Sequence, residues 1–137
     1  MIRYNGSETV KPPKMYRNSM SSWIRKVAQK HGKTVGDINY IFCDDIKILE
    51  INKKFLKHDY YTDVITFDYS VNDTISGDIF ISLETVEANA KDYSVSFENE
   101  LRRVMIHGIL HLCGQKDQTP EEKQEMRHKE DIALRLI

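Results

Sequence analysis

Two cysteines, Cys43 and Cys113, are too few for a disulfide framework. Their scarcity points to a reducing cytoplasm and to no disulfide partner. No apolar run reaches the ~18–20 residues that cross a bilayer, and the opening MIRYNGSETV lacks the apolar stretch of a signal peptide. A cytoplasmic protein with no membrane partner is expected. A dominant charge sign is also missing: 20 Lys and Arg stand against 21 Asp and Glu, for a formal net charge of −1. That excludes nucleic-acid binding by bulk charge and leaves only a local basic patch. Proline is rare, and Pro12-Pro13 is the only break in composition, with no repeat or low-complexity run. What remains is 137 residues, 40% hydrophobic and 30% charged, which read as one globular domain, residues 1–137, able to bury one core.

Apolar spacing sets the element order. A short strand is expected near Ile2–Tyr4. Met20, Trp23, Ile24, Val27 and His31 recur at helical spacing up to Gly32, with Trp23 as a core anchor and His31 at the helix end. Ile38, Tyr40 and Phe42 alternate as a strand. Asp44 or Asp45 caps a helix to about Lys57, with Ile48, Leu49, Phe55 and Leu56 on one face. Thr62–Asp68 and Ile75–Ile81 are β-branched and aromatic strands joined by the turn-like Ser70–Asp73. Ser82 caps a helix bearing Leu83, Val86, Ala90 and Tyr93. A further helix runs from near Ser96 to Cys113 with Gly114 as its stop, and Thr119-Pro120-Glu121-Glu122 opens the last one, where His128 is a surface residue. Helices mixed with about four strands, without regular βαβ alternation, make an α+β domain.

The chemistry concentrates in Val104–Cys113, VMIHGILHLC, where only His107, Gly108 and His111 are not apolar. A helix apolar on nearly every side is buried, so two imidazoles one turn apart each need a polar partner. Their i, i+4 spacing puts them on one face, suited to one ion. Gly108 costs ~1 kcal/mol against Ala in mid-helix, which a close approach of another backbone or of a substrate explains. Beyond Gly114 the chain can return Asp117 to the pair. Two imidazoles and a carboxylate leave a fourth zinc position open, the pattern of a catalytic site. Core histidines beside a surface Asp are the plainer alternative. The string His-x3-His-x2-Gly-x2-Asp resembles the ligand spacing of the metzincin zinc proteases, and so a zincin-like arrangement. However, Gly108 stands where those proteases carry their general-base Glu, which argues against a metallopeptidase.

Taken together, His107-Gly108-Ile109-Leu110-His111-Leu112 with Gly114, the Asn52–Phe67 segment through Asp59 and Thr62-Asp63-Val64, Gly77-Asp78-Ile79, and Met126 with Glu130 resemble the YbeY-type endoribonucleases and ribosomal-RNA maturation factors of bacteria. The resemblance implies a mixed sheet of about four strands packed with helices around a central zinc-binding helix. It also implies one Zn²⁺ per chain held by His107, His111 and Asp117, with His107 and His111 acting in catalysis through the metal and no general base assigned. Implied partners are ribosomal RNA and the ribosome or its small subunit; the implied reaction is single-strand-specific cleavage in 3′-end maturation of small-subunit RNA and in ribosome quality control. A non-catalytic, zinc-binding assembly factor is the alternative.

Two positions depart from the family pattern. Asp117 stands where a third His is usual, and Leu56 stands where an Arg near the RNA phosphate is typical. Lys53, Lys54 and Lys57 either substitute for that Arg as substrate contacts or form a solvated helix face. Asn52, on the apolar face, pins a loop or meets substrate. Asp78 faces either the cleft or solvent. His58 is either a surface imidazole or a substrate contact, and Cys113 reads as core.

Overall fold

A computed structural model describes residues 1–56 and 63–137, with Leu56 described in its backbone only. The order is β1 (Ile2–Asn5), α1 (Arg17–Lys30), β2 (Thr34–Cys43), α2 (Asp45–Ile51) running on into a π-helical turn (Asn52–Leu56), β3 (Val64–Asp68), β4 (Thr74–Ser82), α3 (Leu83–Asp92), α4 (Phe97–Leu112) and α5 (Pro120–Leu134). The four strands form one mixed sheet in the order β1-β2-β4-β3. β1 and β4 both run parallel to β2, while β3 is antiparallel to β4. The expected α+β architecture is the observed one.

Register decides which face carries the site. Tyr40 pairs with Ile79 and Phe42 with Ile81, so these four side chains of the two central strands point to one side, while the intervening Ile41 and Phe80 point to the other. The four meet Trp23 and Ile24 of α1 and Met105, Ile106, Ile109 and Leu110 of α4 in the main core. The Tyr40 hydroxyl donates to the Met105 carbonyl (2.9 Å), and the Trp23 indole donates to the Ala133 carbonyl of α5 (2.8 Å). The opposite face bears a smaller cluster of Cys43, Ile48, Ile51 and Ile65 beneath α2.

Helix ends follow their side chains. Asp44, Ser82, Ser96 and Thr119 each accept a first-turn N–H, and Thr119 with Glu122 completes a reciprocal capping box. Gly114, at φ 102°, ends α4 in the left-handed region. Gly108 has a packing reason: a Cβ there would lie 3.0 Å from Ile79 Cδ1 and Cγ2. The neighbour is thus a sheet side chain, neither a backbone nor a substrate.

Three local features differ from expectation. β2 begins at Thr34, before Ile38, because a register shift between Val35 and Ile38 lets the pairing with β4 continue through Gly36 and Asp37. The helix after Ile51 winds as a π-turn, whose extra residue per turn carries Phe55 out of the core face, leaving it 59% exposed and edge-on to Phe67 at 5.8 Å. Tyr93 falls beyond the last turn of α3 and is exposed.

Candidate metal centre

α4 delivers both imidazoles from one face, and the turn at Gly114 brings Asp117 back over them. His107 Nε2 and His111 Nε2 are 3.0 Å apart, and Asp117 Oδ2 lies 3.3 Å from each. Ligand atoms about 2.0–2.1 Å from one tetrahedral ion stand about 3.3–3.4 Å from each other, so the triangle has nearly the size a first-row divalent ion needs.

The outer nitrogens determine what the inner ones can do. His111 Nδ1 donates to the Gln115 carbonyl (2.9 Å), which can only accept. His107 Nδ1 faces the Glu130 carboxylate (2.7 Å). With both Nδ1 atoms protonated, each neutral ring turns an Nε2 lone pair toward the other and toward Asp117. Three converging lone pairs call for a cation between them, so this donor set fits a metal. Burial pulls the His107 pKa down, but the hydrogen bond and charge of Glu130, with Asp117, raise it above the ordinary imidazole value. Burial and the neighbouring His107 hold His111 below that value, despite Asp117.

Glu130 is itself held in place. Arg103 Nη1 donates to Glu130 Oε1 (2.8 Å) and Nη2 to Asp131 Oδ1 (2.6 Å), so one guanidinium ties α4 to α5 behind the histidine. Neither Arg103 nor the carbonyl of Gln115 figures among the residues picked out from the sequence. Arg103 gains its role only across α4–α5, which one helix cannot reveal, and the Gln115 carbonyl gains its role from the backbone path of the turn after α4, which carries no side-chain signal. Glu130 does leave a trace: with Met126 and Ala133 it forms the buried stripe of α5, an acid on an otherwise apolar line.

Beside His107 opens a cleft of about 240 Å³, lined by Asp63, Asn89, Tyr93, Glu100, Arg103, Lys123, Arg127 and Glu130 among others. Among the described residues its lining does not include Lys53 or Lys54, which are exposed on the π-turn, Lys54 with its ammonium 5.5 Å from the Phe55 ring centre. Asn52 is buried and partnered, in line with its place on the apolar face. Asp78 accepts from Asn39 (3.1 Å) on the sheet face opposite α4, away from the histidines. Lys57, His58 and Asp59 lie outside the described residues, as does the Leu56 side chain. Cys113 is free, and burial pushes its thiol up to about 11.

The family model described as Endoribonuclease YbeY matches residues 3–137. A protein of Phocaeicola vulgatus named Endoribonuclease YbeY is 53% identical over 137 residues, covering 100% of this chain and 99% of that one. One of the same name from Bacteroides thetaiotaomicron is 50% identical over 130 residues, covering 95% of each. The solution structure of a Thermotoga maritima protein superposes with a TM-score of 0.69 at 29% identity, over 99% of this chain and 88% of that one. A match that starts at Arg3 and runs to the last residue takes in the whole chain and not the histidine helix alone, and the chain belongs to the YbeY family.

Proposed function

We propose that the protein is a single-domain, zinc-dependent endoribonuclease, specific for single strands, that matures the 3′ end of small-subunit ribosomal RNA and takes part in ribosome quality control in the cytoplasm. The observation that carries the metal-dependent reading is the lone-pair triangle of His107, His111 and Asp117 beside a cleft with the exposed cations Lys123 and Arg127 at its rim. Family membership supports RNA as the substrate, and the ribosome is the partner that this role implies. No helix among the described residues is long and apolar enough to cross a membrane.

His107, His111 and Asp117 would hold the ion, and zinc suits a His₂-carboxylate set with an open position. When bound, zinc supplies Lewis acidity toward a phosphodiester oxygen and toward an attacking water. The protein's part is to keep that site rigid. Glu130 and the Gln115 carbonyl hold the imidazole tautomers, and Arg103 steadies Glu130. Asp117 lowers the net charge of the centre below that of three histidines. Position 108 supplies no base, because glycine has no side chain, and the packing of Ile79 leaves little room for one. That closes off the peptidase route by which zinc proteases activate water.

The test is cleavage of a small-subunit precursor carrying its unprocessed 3′ end. Chelation should abolish cleavage and one equivalent of zinc restore it, with a duplexed target resistant. Cleavage indifferent to chelation would overturn the metal reading. Zinc binding and RNA binding without cleavage would favour the assembly-factor alternative, to which Leu56 in place of a phosphate-gripping Arg points.

A further inference from the structure

Glu100 is the most unusual group in the cleft. It is 4% exposed, lies on α4 two turns before His107, and lines the cleft. Among the described residues its carboxylate makes no hydrogen bond or close ion pair. The nearest guanidinium in sequence, that of Arg103, is committed to Glu130 and Asp131. Its oxygens are not sealed from solvent but open onto the cleft, and a carboxylate so far withdrawn from water is costly to keep charged. Burial, with the negative charge of Asp63, accordingly raises the Glu100 pKa. Such a group awaits a ligand that brings hydrogen-bond donors.

The rest of the cleft indicates what kind of ligand. Lys123 and Arg127 stand one turn apart on α5, both exposed, and neither forms an ion pair among the described residues. Tyr93 presents an exposed ring at the end of α3. Cations on the rim, an aromatic face on one side and a recessed carboxylate opening onto the cleft match the three parts of a nucleotide. The seven-residue rise from Glu100 to His107 is about 10 Å. That is on the order of the span from a nucleotide's phosphate to the far edge of its base. A carboxylate has two acceptor oxygens side by side, and among the four RNA bases guanine offers two adjacent donors, N1–H and the N2 amino group, on one edge.

We propose that the cleft beside the metal centre is a guanine-reading subsite, in which Glu100 accepts from N1–H and N2–H, Tyr93 stacks on the base, and Lys123 with Arg127 contacts the flanking phosphates. The inference rests on the ribonuclease reading above and adds a base preference next to the cleaved bond.

The experiment uses metal-stripped protein in chelator, so that nothing is cleaved, and reads fluorescence anisotropy of labelled uridine oligonucleotides carrying one guanosine, inosine or adenosine. Guanosine should bind about tenfold or more tighter than adenosine or uridine alone, as a bidentate contact implies. Inosine, which lacks the amino group, should fall between them. Glu100→Gln should erase the preference with the circular dichroism spectrum unchanged. Tyr93→Ala should weaken the guanosine oligonucleotide while keeping its advantage over adenosine. Lys123→Ala and Arg127→Ala should weaken all the oligonucleotides alike and each flatten the salt dependence by about one ion. Equal binding of all four oligonucleotides to the wild type overturns the subsite even if Glu100→Gln fails to fold, as does a preference that survives in Glu100→Gln. Failure to bind any RNA contradicts the ribonuclease reading itself, and the subsite falls with it.

Discussion

The α4–α5 half of the molecule and the α2 segment with its π-turn both carry polar residues on helices that face a core, and they treat them in opposite ways. On α4 the two imidazoles are each fixed by a second contact, to Glu130 or to Gln115, and Glu130 is fixed in turn by Arg103. On the other segment the winding changes at Asn52, Phe55 is turned outward, and Lys53 and Lys54 are exposed. One region is built to hold atoms still. The other presents charge on long side chains, which supply attraction with little geometry. Chemistry that needs a few tenths of an ångström belongs in the first.

Removing the support beneath His107 breaks that contrast most directly. Glu130→Ala strips Nδ1 of its acceptor and leaves Arg103 with Asp131 alone. Loss of such an outer contact weakens metal affinity about 10–100-fold, measurable by competition with a chromophoric chelator. Disrupting the buried pair should also cost about 3 kcal/mol in urea denaturation. Unchanged affinity would mean that His107 is oriented by packing alone.

Gly108→Ala probes the same half through packing. The new methyl gains ~1 kcal/mol of helix propensity but meets the fully buried Ile79 at 3.0 Å. Overpacking costs about 1–3 kcal/mol, so a net loss of about 1 kcal/mol is expected by thermal denaturation. A stabilised variant would show that Ile79 can yield. On the other half, Lys53→Ala with Lys54→Ala should change stability by less than about 0.5 kcal/mol, as exposed substitutions do. The pair should also weaken RNA binding less than Lys123→Ala with Arg127→Ala, in the same anisotropy assay.

The smallest effect concerns the thiols. Cys43 is buried, donates to the Ile81 carbonyl, and is pushed up to about 12; Cys113 is pushed up to about 11. Neither should be labelled quickly by a disulfide reagent at pH 8, and Cys43 should react only on unfolding. Fast labelling of Cys113 would contradict the burial that raises its thiol.

These two halves were also unequally legible in the sequence. His107, His111 and Asp117 could be read because they lie within eleven residues, where helical periodicity and a glycine stop determine direction. The capping residues Asp44, Ser82, Ser96 and Thr119 were legible for the same local reason. Glu130 and Arg103 acquire their roles only when α5 lies against α4, a contact between segments that periodicity does not encode. Phe55 misled because its spacing from Ile48 is right for an α-helix and wrong for the π-turn that forms. The early start of β2 was not legible because the apolar alternation begins only at Ile38, and the register shift between Val35 and Ile38 interrupts it before that point.

The central claim is that this protein holds one metal ion with two imidazoles and an aspartate. Its most direct test is the metal content of purified wild type beside Asp117→Ala and His111→Ala, with folding checked by circular dichroism. The account predicts about one zinc per wild-type chain and its loss from both variants while they remain folded. A well-folded wild type that takes up no metal even when zinc is supplied, or an Asp117→Ala variant that retains a full equivalent, would contradict it.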